Sequence, residues 1–214
     1  MINFGTSAYL KLLALNPKPR DTEIRKRLVG GGSPYDFHKA MRRIAVGSVC
    51  GRLSQAQVHV ELSGIKRFPE RNVATVAVEN LSQWLNGIEV KELKNAVHTA
   101  KSPLGYFNVR FSPDFEIYHR GKLVRIHIWN TAKPPLRLRE AIGAMGLFSQ
   151  EDNPHSLGVL SLRTGELFVL ENTESARQLS VLLANDIERR IDRIRDELDL
   201  PSGEDRPERR ASGG

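Results

Sequence analysis

Between residues 106 and 131 apolar and polar positions alternate with period two. Phe107, Val109 and Phe111 alternate with Tyr106, Asn108 and Arg110. Phe115 and Ile117 alternate with Asp114, Glu116 and Tyr118, and Val124, Ile126 and Ile128 with Arg125, His127 and Trp129. The pattern predicts three short strands lying nose to tail. Pro113-Asp114 opens the second, and residues 119–122, with Gly121 free to take a positive φ, form a hairpin turn into the third. The third strand carries bulk on both sides, as a central strand buried on two faces does.

Elsewhere the period is nearer 3.6. Thr6 or Ser7 can cap a first helix carrying Tyr9, Leu12, Leu13 and Leu15, which Asn16-Pro17 ends. A second, at about 21–29, stops at Gly30-Gly31-Gly32. Ser33-Pro34, with Asp36 in the first turn, starts a third that sets Phe37, Met41 and Ile44 on one face and His38, Lys39, Arg42 and Arg43 on the others. Residues 53–62 fit strand and helix equally, since Val58, Val60 and Leu62 alternate among helix-forming neighbours. Pro69 opens a helix through Leu85, and residues 89–100 read as one more helix or as a loop ending at Pro103.

After Pro134-Pro135 a helix runs over 136–148, with Gly143 and Gly146 allowing close backbone packing on the sheet. Residues 157–162 and 166–170 form a second hairpin. Thr173 caps the longest helix, whose apolar stripe is Leu179, Leu183, Ile187, Ile191, Ile194 and Leu198. The polar end, 201–214, is expected to be disordered. The fold class is therefore α+β: a helical N-terminal half on a small mixed sheet of three-strand meander, helix and hairpin, followed by a long C-terminal helix. The expected division is a basic, mainly helical region over 1–100, a sheet region with the C-terminal helix over 101–200, and a tail, with the first two as one cooperative unit.

Composition narrows the setting. The chain has 214 residues, 40% hydrophobic and 27% charged, enough for a substantial core. No apolar run approaches the roughly 18 to 20 residues that span a bilayer, and residues 1–16 lack the basic start and cleavage site of a signal peptide. Cys50 is the only cysteine, so no internal disulfide or multi-cysteine zinc site can form, and a reducing cytoplasm is the expected compartment. The net charge of +7 is uneven: residues 1–140 carry 23 basic and 11 acidic side chains, residues 141–214 carry 9 and 14. Such asymmetry points to an anionic partner, DNA or RNA, met by Arg25, Lys26, Arg27, Lys39, Arg42 and Arg43, with Lys122 and Arg125 nearer the sheet.

No phosphate-binding loop, dinucleotide fingerprint or serine-hydrolase elbow is present, and no two of the six histidines have helical metal-ligand spacing. The order helix, three strands, helix, strand over about 89–171, with Pro113-Asp114 opening the second strand, resembles the nucleases known by a Pro-Asp motif followed by Asp/Glu-x-Lys. The resemblance implies a site for Mg²⁺ in which Asp114 is a ligand, Glu92 an additional one, and Glu116 and His127 helpers in catalysis. This chain departs from the pattern on the third strand, where Arg125 and His127 stand on the face that would carry acid and lysine. The expected function is a nucleic-acid-associated protein whose nuclease-like core has lost or altered its metal site. One alternative is a Mg²⁺-dependent nuclease or phosphodiesterase using Asp114. The other is a protein-interaction module, a homodimer formed through the helix at 173–198.

Overall fold

The computed structural model describes residues 1–30, 38–93, 96–149, 156–171 and 174–200. In chain order the elements are β1 (Ile2–Gly5), α1 (Thr6–Ala14), α2 (Pro17–Leu28), α3 (Lys39–Val49), α4 (Gln55–Ser63) and α5 (Phe68–Trp84). There follow β2 (Val90–Glu92), β3 (His98–Lys101), β4 (Phe107–Phe111), β5 (Phe115–His119) and β6 (Lys122–Trp129). The chain continues through α6 (Leu138–Met145), a 3-10 turn (Gly146–Phe148), β7 (Ser156–Ser161), β8 (Leu167–Val169) and α7 (Glu174–Glu197). The protein is α+β, with helices dominating the N-terminal half, mixed sheets and a long C-terminal helix. No helix among the described residues is long and apolar enough to cross a membrane.

Two sheets form rather than one. β1 runs parallel to β4, which β3 flanks antiparallel, while the larger sheet has the order β2-β5-β6-β7-β8. Within the larger sheet only β6 and β7 are parallel, joined through α6 as a parallel pair requires. The central strand is β6, and both of its faces are buried. Val124, Ile126 and Ile128 pack with Met41, Ile44 and Leu81 of α3 and α5, whereas Trp129 joins Leu157, Val159, Ile187 and Ile191 in a second cluster containing α1, α6 and α7.

Several expectations change. The three-strand meander is broken, because Pro113 supplies no N–H to a ladder and the chain changes sheets there: β4 pairs with β1 and β3, β5 with β2 and β6. Within 89–100 the described residues form no helix but contribute β2 and most of β3, where pairing with β5 and β4 decides a segment of weak local preference. Residues 2–5 form a strand, so Gly5 is the N-cap of α1 and neither Thr6 nor Ser7 caps it. The ambiguous 53–62 segment is helical: Ser54 and Gln57 form a reciprocal capping box, and Val60 points to solvent. Proline at the first turn starts α2 at Pro17, ahead of the expected 21. Gly143 of α6 and Gly146 of the 3-10 turn pack on α7, not on the sheet; a Cβ on Gly146 would lie 2.5 Å from the Ala176 carbonyl oxygen. The expected helix start at Ser33-Pro34, with Asp36 and Phe37, the Thr173 cap and the 201–214 tail lie outside the described residues.

The cluster around β1 and β4 contains one polar irregularity. Tyr9 is 0% exposed, packed between the rings of Phe4 and Phe107 at 6.0 and 5.6 Å, and its hydroxyl has no hydrogen-bond partner among the described residues. Burial first, then the nearby Glu188 carboxylate, pushes this phenol well above its ordinary value near 10. A folded-state value raised above the unfolded one means that the contribution is intact below pH 10 and is lost as the pH climbs beyond it. Stability should fall by about 1.4 kcal/mol per pH unit from this group above pH 10. Tyr9→Phe should flatten that fall while changing stability little at neutral pH, as chemical denaturation across an alkaline pH series would show.

Candidate functional site

The point where the chain leaves one sheet for the other organises a polar network. Because β5 begins only after Pro113, no backbone carbonyl of β5 continues opposite Ile128. The Asp114 carboxylate takes that place, accepting from the Ile128 N–H at 2.7 Å, while its own N–H donates to the Ile126 carbonyl. Asp114 is thus a strand-end fixture, its side chain 14% exposed.

His127, 4% exposed, lies beside it on β6. Its Nδ1 is 3.0 Å from the Ser112 carbonyl oxygen and 3.3 Å from Asp114 Oδ2, and its Nε2 is 2.8 Å from Ser7 Oγ. Arg42 of α3 donates to the same Ser7 oxygen at 3.0 Å. For a neutral imidazole these partners admit one assignment. A carbonyl and a carboxylate can only accept, so Nδ1 carries the proton; Nε2 is then an acceptor, and the Ser7 hydroxyl donates to it while accepting from Arg42.

The remaining site residues are held elsewhere. Two residues along β6 on the same face, Arg125 donates through Nε to Glu116 Oε1 at 2.7 Å, and its Nη1 lies 3.1 Å from His98 Nε2. Glu92 pairs with Arg52 at 3.2 Å. Asp114 and His127 are therefore brought together, Glu116 joins Arg125, and Glu92 belongs to a separate surface pair. No group of three or more His, Cys, Asp or Glu among the described residues could hold a metal ion. This donor set does not suit Mg²⁺: the Asp114 oxygen that meets His127 also caps a strand N–H, and a guanidinium occupies the neighbouring position.

The proposed basic residues also separate into groups. Arg25 is ion-paired with Glu197, Lys26 lies 3.8 Å from Glu23, and Arg27 covers the Phe4 ring at 4.9 Å, where burial lowers its pKa. Asp21 pairs with Arg190 and Arg193, and Arg20 with Asp186. Much of the α2 charge is thus met by α7, whose apolar stripe at Leu183, Ile187, Ile191 and Ile194 is buried in its own chain's core. Lys122 is exposed at the β5–β6 turn, near which Lys91 lies 4.8 Å from the Tyr118 ring centre.

A further basic surface was anticipated on α3, at Lys39 and Arg43, but not at Lys66, Arg67 and Phe68. Lys39 is exposed one turn before Arg43 on α3, and Arg43 faces the start of α5, where Lys66 and Arg67 precede Phe68. Arg43, Lys66 and Arg67, with Glu61 and Glu70, line a cavity of about 400 Å³ between α3 and the α4–α5 junction, within which Arg43 pairs with Glu61 at 2.6 Å. Phe68 is 68% exposed, and the Arg71 guanidinium lies 5.7 Å from its ring centre. The sequence signal was present in Lys66-Arg67-Phe68-Pro69, two cations and an aromatic at a helix start. Ser7 was missed because its hydroxyl suited a helix cap.

No family model matches the chain, and no curated protein matches it. Among solved structures the chain is similar to one described as "Crystal structure of SSO0001", at 14% identity and a TM-score of 0.33, over 79% of this chain and 83% of that one. So slight a likeness does not bear on function.

Proposed function

We propose that the protein binds nucleic acid through the surface formed by α3 and the start of α5, on a nuclease-like core that carries no metal-dependent chemistry. The observation that carries this reading is Phe68, exposed beside Lys66, Arg67 and Arg71, above a cleft that Arg43 lines. Cations contact phosphates and fix position, while an exposed ring offers a stacking platform for an unpaired base. Support for the nuclease-like core comes from the order α5, β2, β5, β6, α6, β7, in which Asp114 opens the second strand of the series and the fourth runs parallel to the third. The strand that supplies the first place is β2, not the 107–111 strand that the sequence suggested.

Fluorescence anisotropy with labelled single-stranded and duplex oligonucleotides, in EDTA and across a salt series, tests the reading. Three to four cations on phosphates predict a slope of log K against log salt of about −2 to −3.5. Phe68→Ala should weaken single-strand binding by 1–3 kcal/mol, the worth of one stacked base, and leave duplex binding nearly unchanged. Retention that is absent at low salt, or indifferent to salt, would remove the proposal.

A further inference from the structure

The network at Ser7 has a chemical capacity that nucleic-acid binding does not use. We propose that Ser7 is a nucleophile toward acyl esters, with His127 as its general base and Asp114 as the residue that positions the imidazole. The proposal stands on geometry independent of the α3–α5 surface, and neither depends on the other.

Three features carry it. The first is the relay itself: Ser7 Oγ at 2.8 Å from Nε2, with Nδ1 held by the Ser112 carbonyl and the Asp114 carboxylate at 3.0 and 3.3 Å. In the neutral imidazole that arrangement fixes the tautomer with an unprotonated Nε2 facing a hydroxyl proton, the state a general base needs. The second is placement. Ser7 lies in the first turn of α1, whose leading N–H groups have no partner within the helix, and no side chain caps them. The Arg42 guanidinium is 3.0 Å from Ser7 Oγ, and it and the N–H groups of the first turn are the donors nearest in the fold to a negative charge developing beside Ser7. The third is access. Ser7 is partly exposed, and Gly5 just before the helix is exposed, with open space where its Cβ would be. Thr6 locks the turn by donating to the Arg110 carbonyl and accepting from the Ser112 N–H, so Ser7 is held against His127 by the same segment that orients the imidazole.

The step balances without an added reactant. The Ser7 hydroxyl proton passes to His127 Nε2 as the Oγ–C bond forms and the carbonyl electron pair moves onto oxygen. Collapse breaks the ester C–O bond, and the departing alkoxide takes the proton from Nε2. Water then repeats the sequence on the acyl-serine, giving the carboxylic acid and free Ser7.

The test treats the folded full-length protein with a fluorophosphonate, whose phosphorus accepts the serine oxygen as fluoride leaves, and maps the adduct by mass spectrometry. The expected result is one adduct, on Ser7. It should be absent in Ser7→Ala, form at least 100-fold more slowly in His127→Gln, and form about tenfold or more slowly in Asp114→Asn, with an altered pH profile of labelling in the last. Para-nitrophenyl acetate hydrolysis should follow the same order. The mapping on the unaltered protein decides the matter even where a variant fails to fold: no adduct, or an adduct on a lysine or tyrosine instead of Ser7, overturns the proposal. Because oligonucleotide binding is read separately, either result leaves the nucleic-acid reading as it stood.

Discussion

Asp114→Ala should destabilise the protein by about 1–3 kcal/mol, the cost of stranding a buried strand N–H without its acceptor. Ile128, whose N–H donates to Asp114 at 2.7 Å, is 1% exposed on the central strand, so water cannot replace the lost carboxylate. His127 keeps the Ser112 carbonyl but loses its second acceptor. Asp114→Asn retains an acceptor oxygen and should cost less than the alanine change. A carboxylate reserved for a divalent ion predicts otherwise. Its removal would relieve a local charge and leave stability unchanged or higher, and millimolar Mg²⁺ would raise the melting temperature of the parent by mass action. Thermal melts of the three proteins with Mg²⁺ and with EDTA separate the cases. The destabilisation should appear in both buffers, with no Mg²⁺-dependent shift that Asp114→Ala abolishes.

The part of the site that local pattern could reveal was visible in the sequence. Alternation marked the strands at β4, β5 and β6, and the Pro-Asp pair placed Asp114 at the head of β5 with His127 on the adjacent strand. The amphipathic stripes likewise marked α5, α6 and α7. What pattern could not supply was pairing over distance. β1, β2 and β3 have only three or four residues each, too short for a period to declare itself, and they exist because β4 and β5 satisfy their backbone groups. For the same reason one meander was expected where Pro113 divides two sheets.

The site and the basic surface were obscured in the same way. Ser7 meets His127 across 120 positions, and in isolation its hydroxyl suited a cap equally well. Arg20 and Arg25 of α2 seemed free because their acidic partners, Asp186 and Glu197, lie on α7, 166 and 172 positions away. Counting charges along the chain therefore gave α2, whose charge is largely met internally, the same weight as α3. It passed over Lys66 and Arg67, which matter because Phe68 and Arg71 are turned to solvent beside them.

That contrast gives the second large effect. Lys39, Lys66 and Arg67 are all exposed, on α3 and just before α5, and belong to the proposed surface, whereas Arg25 and Lys26 lie on α2 and do not. Reversing three charges removes their phosphate contacts and adds repulsion toward the same backbone. Each lost contact should reduce the salt slope by about 0.7 to 1, and at low salt the three together should weaken binding by on the order of 100-fold. None of the three side chains is in the main hydrophobic clusters, so the fold should persist, as circular dichroism would show.

The most direct measurement is an anisotropy titration of a labelled single-stranded oligonucleotide at low salt in EDTA. It compares the parent with Lys39→Glu/Lys66→Glu/Arg67→Glu and with Arg25→Ala/Lys26→Ala. The triple reversal should nearly abolish binding and flatten its salt dependence, while the α2 double variant should stay within about threefold of the parent. Equal binding by the parent and the folded triple variant, or loss of binding in the α2 variant alone, would contradict binding at the α3–α5 surface.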